Sequence, residues 1–274
     1  MFQSKRKPKG GLSSALSMAE LVYHSIVRSV RKQHNNALVA IAMNIMQTVM
    51  FLAAFYLMFS ILGMRGAAVR GDFVVYLMTG IFLYLGHIKS LGAVMSAEGP
   101  ASPMMQHAPM NTIIAILSSA LGALYIQVLS LIIVLFVYHV AWTPVEVDQP
   151  AAAFGMVVLA WFTGCALGLV LLAMKPWFPS VVALLSMVYQ RANMIASGKM
   201  FVANTLPSYM LGMFDWNPLF HIIDQARGFA FINYYPRYTS WEYALGVAMV
   251  LIMIGLMGEF YTRKHASLSW NARR

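Results

Sequence analysis

The sequence predicts an all-α integral membrane protein with six transmembrane helices. An N-terminal amphipathic helix lies at the membrane interface, and an outer re-entrant helical hairpin sits between the fifth and sixth spans. Three observations predict this. Of 274 residues, 60% are hydrophobic and only 10% are charged, against roughly 25% charged in a soluble domain. The apolar residues gather into runs of about 20, the length that crosses a bilayer core of about 30 Å. The basic residues gather at the ends: Lys5, Arg6, Lys7, Lys9, Arg28, Arg31 and Lys32 before the first run, Arg263, Lys264, Arg273 and Arg274 after the last.

Those eleven are more than half of the 19 Lys and Arg, and under the positive-inside rule they put both termini in the cytoplasm. The net charge of +10 is therefore a topology signal. Nucleic-acid binding would need basic and aromatic residues interleaved on a soluble domain, which the sequence lacks. The single cysteine, Cys165, excludes an internal disulfide and any multi-cysteine metal site. The first long apolar run begins near Ala37 and no small-residue cleavage site follows it, so it is expected to remain as a span and not to be removed as a signal peptide.

Taken in order, residues 1–36 are expected to be a cytoplasmic segment. Within it, Leu12, Leu16, Ala19, Tyr23, Ile26 and Val30 recur at spacings of three and four. Ser13, Ser17, Glu20, His24, Arg28 and Arg31 cluster on the opposite face, so 12–32 reads as a helix lying in the interface, its polar face turned to a cytoplasmic partner. A membrane domain, 37–260, follows, with runs at 37–62, 73–95, 112–140, 153–174, 179–201 and 242–260. The loop Ser96 to Met110 is cytoplasmic on this count. Pro100, Pro103 and Pro109 limit it to a helix of a turn or two, and Glu98 and His107 flank the adaptable apolar pair Met104 and Met105, a composition suited to a groove on a soluble partner. Thr143 to Pro150 carries Glu146 and Asp148 and no base, as an external loop does. A basic tail, 261–274, closes the chain.

Residues 202–235 are apolar but broken by Pro207 and Asn217-Pro218, with Asp215, Asp224 and Arg227 among aromatics. Broken backbone at membrane depth must be buried in protein or line a cavity. A seventh span here would put Arg263 and Lys264 outside, so the segment reads as re-entrant from the outer face.

An ionised group at membrane depth costs several kcal/mol and turns to the bundle interior or to water. Arg191 falls about 20 Å along its span. It is either a cationic point on the path of an anionic substrate or half of an ion pair with Asp215 or Asp224. Lys199 lies about 12 Å further on, where snorkelling to the outer interface competes with a place on the same path. His87 and Lys89 are read as interfacial. Asn44, Gln47, Thr48 and Gln127 are read as hydrogen-bonding glue between helices, and Gly164 to Gly168 is a GxxxG packing signal.

No HExxH, GxSxG or GxxxxGK[ST] is present, so no zinc protease, serine elbow or phosphate loop is indicated. His221 and Asp224 share a helical face at i, i+3, which keeps open an intramembrane glycolipid-modifying transferase as a rival.

The last third carries the most specific pattern: Ser197-Gly198-Lys199-Met200-Phe201, Leu206-Pro207, then Trp216-Asn217-Pro218-Leu219-Phe220-His221 with Asp224 and Arg227. In order and spacing it resembles the ABC-2-type permeases that export capsular polysaccharide and O-antigen across the bacterial inner membrane. The resemblance implies a half-transporter: a second copy of the chain, a separate ATPase subunit carrying ATP and magnesium, no cofactor on this chain, and a lipid-linked or anionic glycan as cargo. It implies that the amphipathic helix with Glu20, His24, Arg28 and Arg31 is an interface helix. It also implies that Glu98, Pro100, Met104, Met105 and His107 form the coupling element. Arg191, Lys199, Trp216, Asn217, Pro218, Asp224 and Arg227 fall on the substrate path or its gate. The alternative within the family is an ABC-2 permease for lipids or drugs.

Overall fold

The computed structural model describes residues 37–63, 69, 71–99 and 112–265. The predicted amphipathic helix with Glu20, His24, Arg28 and Arg31 lies outside them, as do Pro100, Met104, Met105 and His107 of the loop. Among the described residues the fold is all helical. The helices are α1 Ala37–Ile61, α2 Phe73–Met95, α3 Thr112–Ala141, α4 Pro150–Met174, α5 Pro179–Ala196, α6 Ser208–Phe214, α7 Pro218–Ala230 and α8 Trp241–His265. A single 3-10 turn, Ala203–Thr205, precedes α6.

Five of these, α1, α2, α3, α4 and α8, are long and apolar enough to cross a membrane. The predicted fifth span, 179–201, is a helix of 18 residues that stops at Ala196. Its second half carries Gln190, Arg191 and Asn193, which makes it less apolar than the others. It ends where Gly198 takes φ +72°, a left-handed backbone that glycine adopts without strain and that commonly closes a helix.

Consecutive long helices run antiparallel, so α2, α4 and α8 point the same way and the bundle has two ends. The proximal end holds the start of α1 and the end of α8; the distal end holds α6 and α7. At the proximal end Trp177 Nε1 donates to Thr262 Oγ1 at 3.0 Å, and Thr262 donates to the Ala173 carbonyl at 3.1 Å. At the distal end the Asp148 and Gln149 N–H groups reach the Ala230 and Phe229 carbonyls, so the α3–α4 loop satisfies the last carbonyls of α7.

Helices α2 and α4 form the centre, and α1, α3 and α8 flank them with most of their apolar surface outward. The GxxxG of α4 makes the central crossing. A Cβ at Gly164 would sit 2.2 Å from the His87 carbonyl oxygen, and one at Gly168 would sit 2.7 Å from that of Leu91. Backbones this close leave no room for a side chain, the membrane packing mode that small residues permit.

That closeness overturns the interfacial placement of His87. Its ring is buried, with Nδ1 at 2.9 Å from Thr163 Oγ1 and 3.2 Å from the Ala160 carbonyl, and Nε2 at 2.8 Å from the Tyr189 hydroxyl. Because Nδ1 faces a carbonyl it carries the proton, and Tyr189 donates to Nε2. Lys89 also turns inward, donating to Asn44 Oδ1. Asn44 donates in turn to Ser130 Oγ at 2.7 Å and to Gln127 Oε1 at 3.4 Å, and Gln127 donates to the Phe82 carbonyl. This network ties α1, α2 and α3, the glue expected of Asn44 and Gln127. Thr48 bonds back to the Asn44 carbonyl of its own helix.

Candidate functional site

The distal end gathers most of the residues that the sequence assigns to the substrate path or its gate, and the turn after α5 is its foundation. Ser197 caps α5, Gly198 reverses the chain, and the carbonyls of Gly198, Lys199 and Phe201 lie outside any helix. Arg227, on α7, supplies them. Its Nη1 donates to Gly198 at 2.8 Å and to Phe201 at 2.6 Å, and its Nη2 donates to Lys199 at 2.7 Å. The guanidinium lies 4.2 Å from the Tyr76 ring centre on α2, which adds a cation–π contact. Arg227 is fully buried. A planar fork of five donors suits a cluster of carbonyls that a point charge cannot match.

One helical turn back, Asp224 accepts from the Ala203 N–H at 3.1 Å, the Tyr234 hydroxyl at 2.5 Å and the Thr239 hydroxyl at 2.8 Å. It therefore joins the 3-10 turn, the end of α7 and the approach to α8. Burial, and then the charge and hydrogen bond of Asp224, push the Tyr234 phenol up.

Asn217 starts α7. Its Oδ1 accepts from the Leu219 N–H, its Nδ2 donates to Asn193 Oδ1 and to the Ala196 carbonyl, and Pro218 occupies the first helical position. An asparagine cap followed by proline is a favoured helix start. The same side chain locks α7 to the end of α5. Trp216, just before it, is 67% exposed, although its indole N–H donates to the Met213 carbonyl.

His221 and Asp224 do not pair. His221 Nδ1 accepts the Ser240 N–H at 3.0 Å, and Nε2 faces the Asp215 carbonyl at 2.6 Å and its carboxylate at 3.3 Å. Both ring nitrogens are committed to local structure, so the shared helical face yields no acid–base couple. Arg191 is exposed on α5. Asp224 is engaged as described and Asp215 with His221, so the ion pair that the sequence offered Arg191 is not formed. Lys199 is buried, at 1% exposure, and does not snorkel. Glu98 lies at the opposite, proximal end, half-buried just beyond α2.

The sequence reading missed Asp72. It caps α2, accepting the Val74 N–H at 2.7 Å, and also accepts the Tyr138 hydroxyl at 2.6 Å and the Thr143 hydroxyl at 3.1 Å. Burial alone would raise its pKa, but these hydrogen bonds together hold the carboxyl below its ordinary value. An aspartate directly before an apolar run was the signal that could have identified it.

No family model matches the chain. A curated protein of Escherichia coli, the polysialic acid transport protein KpsM, is 25% identical to it over 206 residues. The match covers 72% of this chain and 76% of that protein, and a second Escherichia coli protein of the same name matches to the same extent. The chain is similar to a polysaccharide-export permease of the ABC-2 type. That similarity agrees with the ordered motifs from Ser197 to Arg227, whose residues build the distal end of the bundle.

Proposed function

We propose that the chain is the membrane-embedded permease subunit of an ATP-driven ABC exporter, moving a lipid-linked or anionic polysaccharide across the bacterial inner membrane. The observation that carries this is the similarity to a polysialic acid transport protein over 72% of the chain, joined to five helices of membrane-spanning character. In this reading α5, at 18 residues and about 27 Å, is the fifth span in order and brings the count to six. Even parity returns Arg263 and Lys264 to the cytoplasmic side, the proximal end faces the cytoplasm, and α6 and α7 re-enter from outside as the gate.

The cargo path runs between two copies of the chain. Arg191 is exposed at membrane depth, and a charge there favours water or protein over lipid. It therefore faces the path and attracts an anionic group of the cargo. Trp216 lines the mouth, while Asn217, Pro218, Asp224 and Arg227 keep the gate in shape. Glu98 and the loop beyond it, with Pro100, Met104, Met105 and His107, dock on a separate ATPase that binds ATP and magnesium. The helix bearing Glu20, His24, Arg28 and Arg31 lies beside that contact. ATP shifts the permease toward its open state only by binding the two states with different affinity.

The test is co-expression with a cognate ATPase, followed by ATP-dependent glycan export in proteoliposomes. Co-purification and export support the reading. A chain that takes no ATPase partner, or turns over a glycolipid alone, overturns it.

A further inference from the structure

The amino group of Lys199 is buried, and Nζ has no hydrogen-bond partner among the described residues. It sits instead among three aromatic rings: Tyr84 of α2 at 3.8 Å, and Phe55 and Phe51 of α1 at 4.9 and 5.4 Å from the ring centres. Each ring face attracts a cation by about 0.5–2 kcal/mol. None accepts a proper hydrogen bond, so three N–H donors go unused. A charge buried without a partner is costly, and an uncharged chain of similar length would fill the same space without that cost.

The backbone beneath the side chain is also fixed: Arg227 grips the Lys199 carbonyl and both neighbouring ends of the turn. Tyr84 is fixed in turn, its hydroxyl donating to the Gln190 carbonyl on α5. Two of the three rings belong to α1, which is mostly exposed, with Val49, Met50 and Leu57 on its outer face. One helix, α1, therefore separates an unsatisfied ammonium from the outside of the bundle.

We propose that Lys199 is an anion-binding group held behind α1: when the Phe51–Phe55 stretch moves aside, its ammonium takes a carboxylate or phosphate of the cargo. The inference rests on the export reading for its cargo but on the cage alone for its chemistry. The anion has two sources, an acidic sugar of the glycan or the phosphate of its lipid carrier, and the test separates them.

The full chain in phosphatidylcholine nanodiscs is titrated with oligosialic acid and, separately, with dioctanoyl phosphatidic acid. Wild type binds at least one probe; Lys199→Met weakens that binding about tenfold or more, and Lys199→Arg keeps it within about threefold. Phe51→Ala with Phe55→Ala uncovers the amine and tightens it about threefold or more. Loss confined to oligosialic acid assigns the sugar carboxylate, and loss confined to phosphatidic acid assigns the lipid phosphate. Equal binding by wild type and Lys199→Met overturns the proposal, as does no binding by wild type and by the double alanine variant. Should Lys199→Met fail to fold, the double variant decides: tighter binding supports the site and unchanged binding overturns it. Lys199-dependent binding of phosphatidic acid without any glycan export sinks the export reading and leaves the site standing.

Discussion

Arg227 donates to the main-chain carbonyl of Lys199 at 2.7 Å, one buried cation fixing the backbone of another. Removing the guanidinium takes a donor from three carbonyls, leaving Gly198 only its 3.3 Å bond from the Phe201 N–H. Each hydrogen bond to a charged group is worth about 1.5–3 kcal/mol. Arg227→Ala should lower stability by about 3 kcal/mol or more, measured by thermal unfolding in detergent. Arg227→Lys should recover only part of it, because one ammonium cannot reproduce the fork. Wild-type stability in both variants would remove Arg227 from its clamping role.

The crossing at Gly164 should be intolerant of any side chain. Gly164→Ala is expected to cost about 1–3 kcal/mol by forcing α2 and α4 apart. It should also disturb the His87–Tyr189 contact, which lies at that crossing. Melting temperature checks the first, and cross-linking between cysteines placed on α2 and α5 checks the second.

Asp72 gives a pH signature with a defined sign. Its pKa is lowered in the folded protein, below the ordinary 3.8. Its contribution is therefore fully present above pH 3.8 and is lost as pH falls through the folded-state value. Asp72→Asn keeps a cap of similar quality. It loses the charge that strengthens the Tyr138 and Thr143 hydrogen bonds, so it should melt lower than wild type at pH 7, by an amount fitting about 1 kcal/mol. The gap should close only in strong acid. A gap unchanged from pH 7 to pH 2 would rule out the carboxylate as its source.

Arg191→Ala should cut glycan export about tenfold, the effect of losing one charge-assisted contact of about 1.5 kcal/mol, while assembly with the ATPase survives. Export in proteoliposomes and co-purification are the paired measurements. Normal export by this variant would remove Arg191 from the path.

Met104→Asp with Met105→Asp should uncouple the ATPase or break the complex, because an apolar contact surface becomes doubly charged. Unchanged co-purification and unchanged cargo-stimulated ATP hydrolysis would count against docking by this loop.

Much of the architecture was legible because lipid constrains sequence so tightly. The long helices appeared as apolar runs, Asn217-Pro218 as a break, and Gly164 to Gly168 as a close approach, whereas the fifth run reads on through Ser197-Gly198 to 201 and the helix stops at Ala196. Local signals of this kind need no knowledge of distant partners. The roles of Asp224 and Arg227 did need it. A charge in an apolar run looks the same whether it faces a channel or is consumed by backbone groups more than 20 residues away. Arg227 meets the carbonyls of Gly198, Lys199 and Phe201, and Asp224 meets Ala203, Tyr234 and Thr239, pairings that no spacing rule announces. His87 was misplaced for a related reason: its partners Thr163 and Tyr189 lie on two other helices.

The bond between Trp177 and Thr262 makes the α4–α5 turn and the end of α8 one foothold at the proximal face. From it α4 extends 25 residues, about 37 Å, to the loop stitched onto the last carbonyls of α7. The helix is a connecting rod pinned at both ends. Because the helix is continuous, a displacement that carries α4 as a body carries the loop bonded to α7 with it.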